Sequence, residues 1–515
     1  MSDTITPIIA PERVGARLRW SAPLIQALLC GFVGALIVAT TAPVWRHANS
    51  TWRLTLPGVA HPGGPLFSAV TFVLGVALLG FGWFRLSGAM LHSELPEAVR
   101  LRVSAQVLAV WALPIVLGPP LLSNDVYSYA AQGEIAGRGL DPTVVGPWAL
   151  GGGKFLQAAD DVWHYNPSPY GPLWNKLSAA LVSISGHDPA RAVWAFRLVI
   201  VAAVVLSGWA VVRIARQLGA DPALALVLAV GNPVVLLHFV GGIHNDALMM
   251  ALLLVGLALL GDRHRLLAFL ALSGALAIKL PAVVGLAYLG WVWVDGPSTW
   301  LSRTARAALS TIGGFVLVMA MSVQFHMSQG WVTALRGTGK IKTTFAPSTM
   351  GGLLTSGVLH WFRFAVGEDT VVGLFRTASL LVAAGVGWLL LSHTQRLGTE
   401  LAVGLTLLVA IGLGPVLWPW YLPPALALLA VHGTERARPA LSVWCVALSL
   451  FVFPTSVGSG VGSAMHTAIV GAIALSVVTA VAMLAQWIFG QPVVPAPMAR
   501  SWDRLQARRL AIESA

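Results

Sequence analysis

Charge is what this sequence lacks most. Charged residues make up 10% of the 515 positions, hydrophobic residues 57%, and mean hydropathy is +0.77. A soluble domain carries about 25% charged residues, so a water-soluble globular protein is excluded. Cysteine is nearly absent. Cys30 and Cys445 both fall inside apolar runs, which excludes a disulfide framework or a cysteine zinc site and makes both small buried hydrophobes. Lysine occurs only at 154, 176, 279, 340 and 342. No Walker or kinase motif is found, so soluble nucleotide chemistry inside a cell is disfavoured. No repeat of fixed period and no inverted pair of halves, of the kind many secondary transporters carry, can be seen.

What is present is a succession of apolar runs, each about 20 residues long and able to cross hydrocarbon as a helix. The expected fold is therefore an all-α polytopic membrane protein with about 13–14 spans. No small-residue cleavage site follows "PERVGARLRW", so the first span is expected to stay as an anchor. The net charge of +12 would suit nucleic acid in a soluble protein. In a membrane chain its distribution matters more, and the expected partner is membrane lipid, with no nucleic acid.

Arginine sets the threading. Arg13, Arg17 and Arg19 place the N-terminus in the cytoplasm by the positive-inside rule. Arg85, Arg100 and Arg102 mark one cytoplasmic loop, and Arg213 with Arg216, Arg263 with Arg265, and Arg303 with Arg306 mark others. Arg396, Arg436 and Arg438 continue the series, and Arg500, Arg504, Arg508 and Arg509 form a basic cytoplasmic tail. The organisation read from this is a cytoplasmic segment 1–20, one membrane domain 21–490 and a tail 491–515, in a plasma membrane. Two larger segments, about 123–188 and 325–350, face outward, and the chemistry is expected there. One apolar run, 265–294, is interrupted at "IKLPAV" by Lys279 and Pro281. It is either two short spans or a kinked re-entrant pair.

Five outer-face features attract attention. The first is "SNDVYSYAAQG", where Asp125 is followed by Tyr127, Tyr129 and Gln132. "VYSYAAQGEIAG" reads as a helix along the surface capped by Ser123 or Asn124, and "GPLWNKLSAALVSIS" as a second one carrying Lys176; such interfacial helices suit work on a lipid head group. Trp163, Tyr165, Tyr170 and Trp174 supply rings of the kind on which sugars stack, although an interfacial aromatic belt uses the same residues. The second is "GGIHNDALMM": His244, Asn245 and Asp246 follow a Gly-Gly turn and open a span, and Asp246 there also suits the helix dipole. The third is Lys279, an ammonium inside an apolar run. Its partner is expected to be either a phosphate or Asp246, unless it snorkels to the head groups. Arg336, Lys340 and Lys342 in "RGTGKIKTT" form the fourth, an anionic-lipid or phosphate surface or a solvated basic loop. The fifth is "LGPVLWPWYLPPALALL", whose prolines break the helix at membrane depth so that Trp418, Trp420 and Tyr421 wall a cavity.

"SNDVYSYAAQG", "NPSPYGPLWNKLS", "HND", the Lys-Leu-Pro break and "WPWYLPP" together resemble the GT-C glycosyltransferases. Within them the pattern is most similar to the polyprenol-phosphate-mannose-dependent α-1,6-mannosyltransferases that build lipomannan and the lipoarabinomannan backbone in mycobacteria and corynebacteria. The likeness follows span order over nearly the whole chain. It implies a GT-C fold and inverting transfer of mannose from a polyprenyl-phosphate donor to a mannan or phosphatidylinositol-mannoside acceptor on the outer membrane face. Early- and late-acting sister activities share these motifs, and the length favours the later one.

The implied chemistry needs a carboxylate to take the acceptor proton. Asp125 fits, since an ordinary pKa of about 3.9 keeps it ionised. Positive charge for the departing phosphate is expected from Lys279, with Arg336, Lys340 and Lys342 in reserve. Tyr127, Tyr129, Gln132, Tyr170, His244, Asn245 and Asp246 would cradle the sugars beside Trp418, Trp420 and Tyr421. No cofactor is required by this scheme, and a divalent metal remains compatible with it.

Overall fold

Apolar runs surrounded by hydrocarbon must close their backbone hydrogen bonds internally, which a helix does. A computed structural model describes residues 21–41, 64–296, 298–338, 342, 346–432 and 437–449, and no strand occurs among them. The protein is an all-α polytopic membrane protein. The expected cytoplasmic segment 1–20 and the tail 491–515 lie outside the described residues, as does the side chain of Arg438.

Three long helices come first: α1 (Ala22–Thr41), α2 (Gly64–Leu91) and α3 (Glu97–Leu117). A region of short helices follows: α4 (Asp125–Gly137), α5 (Lys154–Ala158), α6 (Asp161–His164) and α7 (Pro172–Ile184). Helix α8 (Pro189–Gln217) crosses back and leads to the short, almost wholly buried α9 (Pro222–Ala229). After it come a π-turn at Val235–Gly241, α10 (Asp246–Gly261), α11 (Arg265–Leu276), α12 (Val283–Trp291) and α13 (Trp300–Gln324). The remainder comprises α14 (Gly330–Thr338), α15 (Pro347–Trp361), α16 (Glu368–Ser392), α17 (Thr394–Leu397), α18 (Thr399–Gly412), α19 (Pro423–Val431) and α20 (Ala437–Ser449).

Among the described residues, six helices are long and apolar enough to cross a membrane: α1, α2, α3, α8, α13 and α16. The π-turn and α10 are together long and apolar enough but are bent by 113°, as in a broken span or a re-entrant loop. Among the described residues there are fewer long helices than about 13–14 spans would need, and several apolar runs there fold as short pieces. Lys279 is extended (φ −156°, ψ 137°), so the run 265–294 forms two short helices, α11 and α12, on either side of it. Pro415 and Pro419 likewise fall between α18 and α19, and Pro423 and Pro424 open α19.

One expected surface helix is placed differently. Helix α4 forms where "VYSYAAQGEIAG" suggested, yet every residue from Val126 to Ile135 is buried. Its small residues permit this: a Cβ at Gly133 would stand 2.5 Å from the Ser178 carbonyl oxygen of α7, so the two helices meet at backbone distance. Helix α7 is the two-faced one, with Trp174, Asn175 and Ser178 buried and Lys176 exposed.

The helix directions sort the polar residues into two ends. Arg216 meets Glu97 at 2.7 Å, Arg213 meets Asp262 at 2.5 Å, Arg265 meets Asp295 at 2.7 Å, and Arg100 meets Asp221. These pairs join the start of α3 to the end of α8 and to the residue before α9, the end of α8 to the residue after α10, and the start of α11 to the segment between α12 and α13. The opposite ends of α3, α8, α10 and α11 converge on Asp125, Asp246 and Lys279.

Candidate active site

The site is built where three helix breaks meet. Helix α3 ends at Leu117, and the strap Gly118–Asn124 carries the chain to Asp125, the first residue of α4. Asn124 occupies the cap position without a side-chain bond; instead the Asp125 N–H donates to Ser123 Oγ at 3.1 Å. Ser123 therefore does the capping, and the Asp125 carboxylate is left for other partners.

The second break is the turn between the π-segment and α10. Neither of its glycines has positive φ; Ile243 does, at φ 58°. A β-branched residue there is an outlier. The glycines serve close approach instead: a Cβ at Gly242 would stand 2.6 Å from the His238 carbonyl oxygen and 2.9–3.0 Å from the His244 ring. The turn delivers His244 fully buried, with Nδ1 3.4 Å from Asp125 Oδ2. The Asp125 side chain keeps 18% exposure.

Burial pushes the Asp125 carboxyl up. The neighbouring His244, Lys279 and Trp163 outweigh it and hold the group below its ordinary value. Asp125 is thus an anion with a buried imidazole behind it and an open side in front. Tyr129 and Tyr170 stand edge to face at 5.3 Å, with Trp174 5.1 Å from Tyr129. Burial and the neighbouring carboxylates push both phenols well above their ordinary value, so both remain neutral.

The third break is Lys279. Its Nζ donates to Asp246 Oδ2 at 2.7 Å and lies 4.4 Å from the Tyr421 ring centre and 5.5 Å from that of Tyr170. Of the two partners open from sequence, Asp246 is the one engaged. Asp246 is 1% exposed while Lys279 retains 14%, so the ammonium still has a route to a ligand. Gly171 N–H and Leu173 N–H donate to the Ile278 and Ala277 carbonyls, both at 3.1 Å. Gly171 is required there, since a Cβ would stand 2.3 Å from the Ala277 oxygen. This docks Tyr170 against the Lys279 segment.

The proline-broken stretch closes the wall. Trp420 stacks on His244 with ring centres 3.9 Å apart and planes 11° apart, and Trp418 stacks on Trp420 at 5.0 Å and 7°. Ser348 Oγ and Thr349 Oγ1 hold this stretch by donating to the carbonyls of Gly414 and Pro415. Asp125, Tyr129, Tyr170, His244, Asp246, Lys279, Trp418, Trp420 and Tyr421 therefore form one cluster drawn from widely separated parts of the chain.

The remaining expected residues divide. Gln132 falls on the Asp125 face of α4, seven residues on, whereas Tyr127 is rotated by about 200° and buried elsewhere. Gln132 Oε1 and both amide atoms of the fully buried Asn245 have no hydrogen-bond partner among the described residues. His244, expected in the sugar cradle, stands against the carboxylate, with Gly242, Trp420 and Asp125 around its ring. Lys342 is bonded at 2.6 Å to both Glu368 and Asp369 at the start of α16. Lys340 and the side chain of Arg336 lie outside the described residues. Sequence reasoning missed Arg197, whose signal is an arginine inside "AFRLVIVAAVV". Among the described residues no group of three or more His, Cys, Asp or Glu side chains is arranged to hold a metal ion.

Comparison with known proteins identifies the class. A family model described as alpha-(1->6)-mannopyranosyltransferase, N-terminal domain, matches residues 28–295, and one described as MptB C-terminal domain matches residues 348–485. The chain belongs to the alpha-(1->6)-mannopyranosyltransferase family. It is 29% identical to alpha-(1->6)-mannopyranosyltransferase B of Corynebacterium glutamicum over 503 residues, which cover 90% of this chain and 81% of that one. The transferase named A from the same organism is 28% identical, covering 78% and 88%, and that of Mycobacterium tuberculosis is 27% identical, covering 87% and 88%. No solved structure matches. All the site residues named above from Asp125 to Lys279 fall within the N-terminal match, while Trp418, Trp420 and Tyr421 fall within the C-terminal one.

Proposed function

We propose that this chain transfers mannose from a polyprenyl-phosphate donor to the growing end of an α-1,6-mannan on the outer face of the plasma membrane, as a GT-C enzyme. The observation that carries this reading is Asp125, partly open and 3.4 Å from His244, on whose turn Asp246 bonds Lys279 and on whose ring Trp420 stacks. The relatives, named as alpha-(1->6)-mannopyranosyltransferases, support the sugar. The separation of this cluster from the arginine-rich end supports the outer face.

In this reading the acceptor hydroxyl oxygen attacks C1 of the mannosyl phosphate from the side opposite the phosphate. The C1–O bond breaks, its electron pair stays on the phosphate, and the β-linked donor gives an α-linked product. Asp125 takes the hydroxyl proton as the new bond forms, a contribution of about 10²–10⁴-fold. The phosphate gains negative charge as it leaves, and Lys279 neutralises it from a site already in place. His244 holds the carboxylate from behind. Gln132 and Asn245 carry amide groups for sugar hydroxyls, and Trp418 offers a ring face. The scheme routes phosphate charge to Lys279 and needs no cofactor.

The test is direct. Membranes holding the protein are incubated with polyprenyl-phosphate mannose and a short α-1,6-mannoside, and the products are sized. The wild-type chain should extend the acceptor, and Asp125→Asn should lower turnover about 10²–10⁴-fold while donor lipid still binds. Near-normal turnover in that variant would sink the general-base role. Activity on a pentose donor in place of mannose would overturn the donor assignment. Extension of long mannosides in preference to short ones would assign the later-acting of the two sister roles.

A further inference from the structure

The strap that carries Asp125 is held at three points, and one of them is a buried arginine inside a membrane span. Arg197 lies on α8 and is 0% exposed. An ionised side chain at such depth is costly and is commonly found paired to other charges or to backbone carbonyls. Here Nη1 donates to the Val116 carbonyl at 2.8 Å and to the Gly118 carbonyl at 2.5 Å, with the guanidinium 5.5 Å from the Trp194 ring centre. Val116 is in the last turn of α3, where carbonyls have no partner within the helix. Gly118 opens the strap. One guanidinium nitrogen therefore fixes both the end of α3 and the direction in which the chain leaves it.

The second hold is in the middle. Pro119 and Pro120 have no N–H to give, so the first strap amide able to bond onward is Leu121, which donates to Gly241 O at 2.9 Å. Gly241 ends the π-turn that leads directly to His244. The third hold is Ser123 on the Asp125 amide. Leu122 between them has φ 60°, as does Ile243 opposite at 58°, so both segments are bent away from relaxed backbone at the point where they are joined.

We infer that Arg197 is a positioning residue that sets the spacing of Asp125 from His244. It acts through the strap and not on substrate. Releasing the Val116 and Gly118 carbonyls would let the strap slide on the Gly241 contact, and Asp125 would leave its place against the imidazole. A displacement of this kind, of the order of 1 Å, costs a reaction up to about 10²-fold. The inference rests on the base role assigned to Asp125, and its test has one arm that does not.

That arm is hydrogen exchange. Arg197→Met removes both bonds without stranding a charge, and Arg197→Lys leaves an ammonium with reach for one carbonyl. In purified full-length protein, the peptide spanning residues 118–128 should exchange faster in Arg197→Met, to a lesser extent in Arg197→Lys, and at an unchanged rate along the rest of α8. Unchanged exchange in 118–128 overturns the inference whatever the activity. In the transfer assay, Arg197→Met should lower kcat by up to about 10²-fold with little change in the donor KM, with Arg197→Lys in between. In an Asp125→Asn background it should cost almost nothing more. A full additive loss there would place Arg197 outside the Asp125 machinery. Should the wild-type chain transfer no mannose, the function assigned above fails, and the exchange result still decides this one.

Discussion

At the scale of single residues, Lys279 has two separable jobs. It neutralises Asp246, a carboxylate 1% exposed, and it faces the place assigned to the donor phosphate. Removing it alone leaves an uncompensated buried charge, a loss of about 3–5 kcal/mol, so Lys279→Met is expected to fold poorly. Lys279→Met combined with Asp246→Asn should fold well by detergent thermal unfolding, yet fail to use polyprenyl-phosphate mannose. Recovery of donor use in the double variant would return Lys279 to the role of a neutraliser. Asp125 makes a pH prediction of its own. Its carboxyl is depressed, so the ionised form persists and is lost only as pH falls through that lowered value, below the ordinary value of about 3.9. Turnover should therefore show no acid limb between about pH 5 and 7 from this group. A midpoint near about 6.5 would assign the titration to an imidazole.

At the scale of elements, the turn before α10 is the most constrained piece of the site. Gly242 has an ordinary helical φ of −77°, so torsion does not demand glycine there. Space does: a Cβ would meet a backbone oxygen at 2.6 Å and the His244 ring at 2.9 Å. Gly242→Ala is expected to cost about 1–3 kcal/mol by overpacking and to move the His244 ring against Trp420. Thermal unfolding should register the first effect, and a fall in mannose transfer the second. Wild-type transfer in this variant would show that His244 can move without consequence.

At the scale of the whole molecule, the assignment of faces can be checked without any substrate. In a Cys30→Ser background, Tyr165→Cys should be labelled by a membrane-impermeant maleimide in intact cells, since Tyr165 is 78% exposed at the site end. Arg263→Cys, at the arginine-rich end, should label only after the membrane is opened. The reverse pattern would invert the threading and with it the outer-face site.

Much of this was legible in the chain itself. Scarce charge and apolar runs of spanning length dictate a helical membrane protein, because hydrocarbon offers the backbone no other partner. The arginines predict which helix ends lie together. The polar residues that interrupt apolar runs, Asp125, Asp246 and Lys279, mark the site, since each costs too much to be placed there idly. Three things were decided only by folding. Helix α4 is buried and not laid on the surface, because Gly133 lets α7 approach to backbone contact. Lys279 meets Asp246, and His244 meets Asp125, because breaks far apart in sequence come together. Arg197 holds the strap because its reach ends on the carbonyls of a helix some eighty positions earlier. Residue type and spacing determine which groups are worth their cost in a membrane; which group each one finally touches is set by packing across the chain, which no local pattern contains.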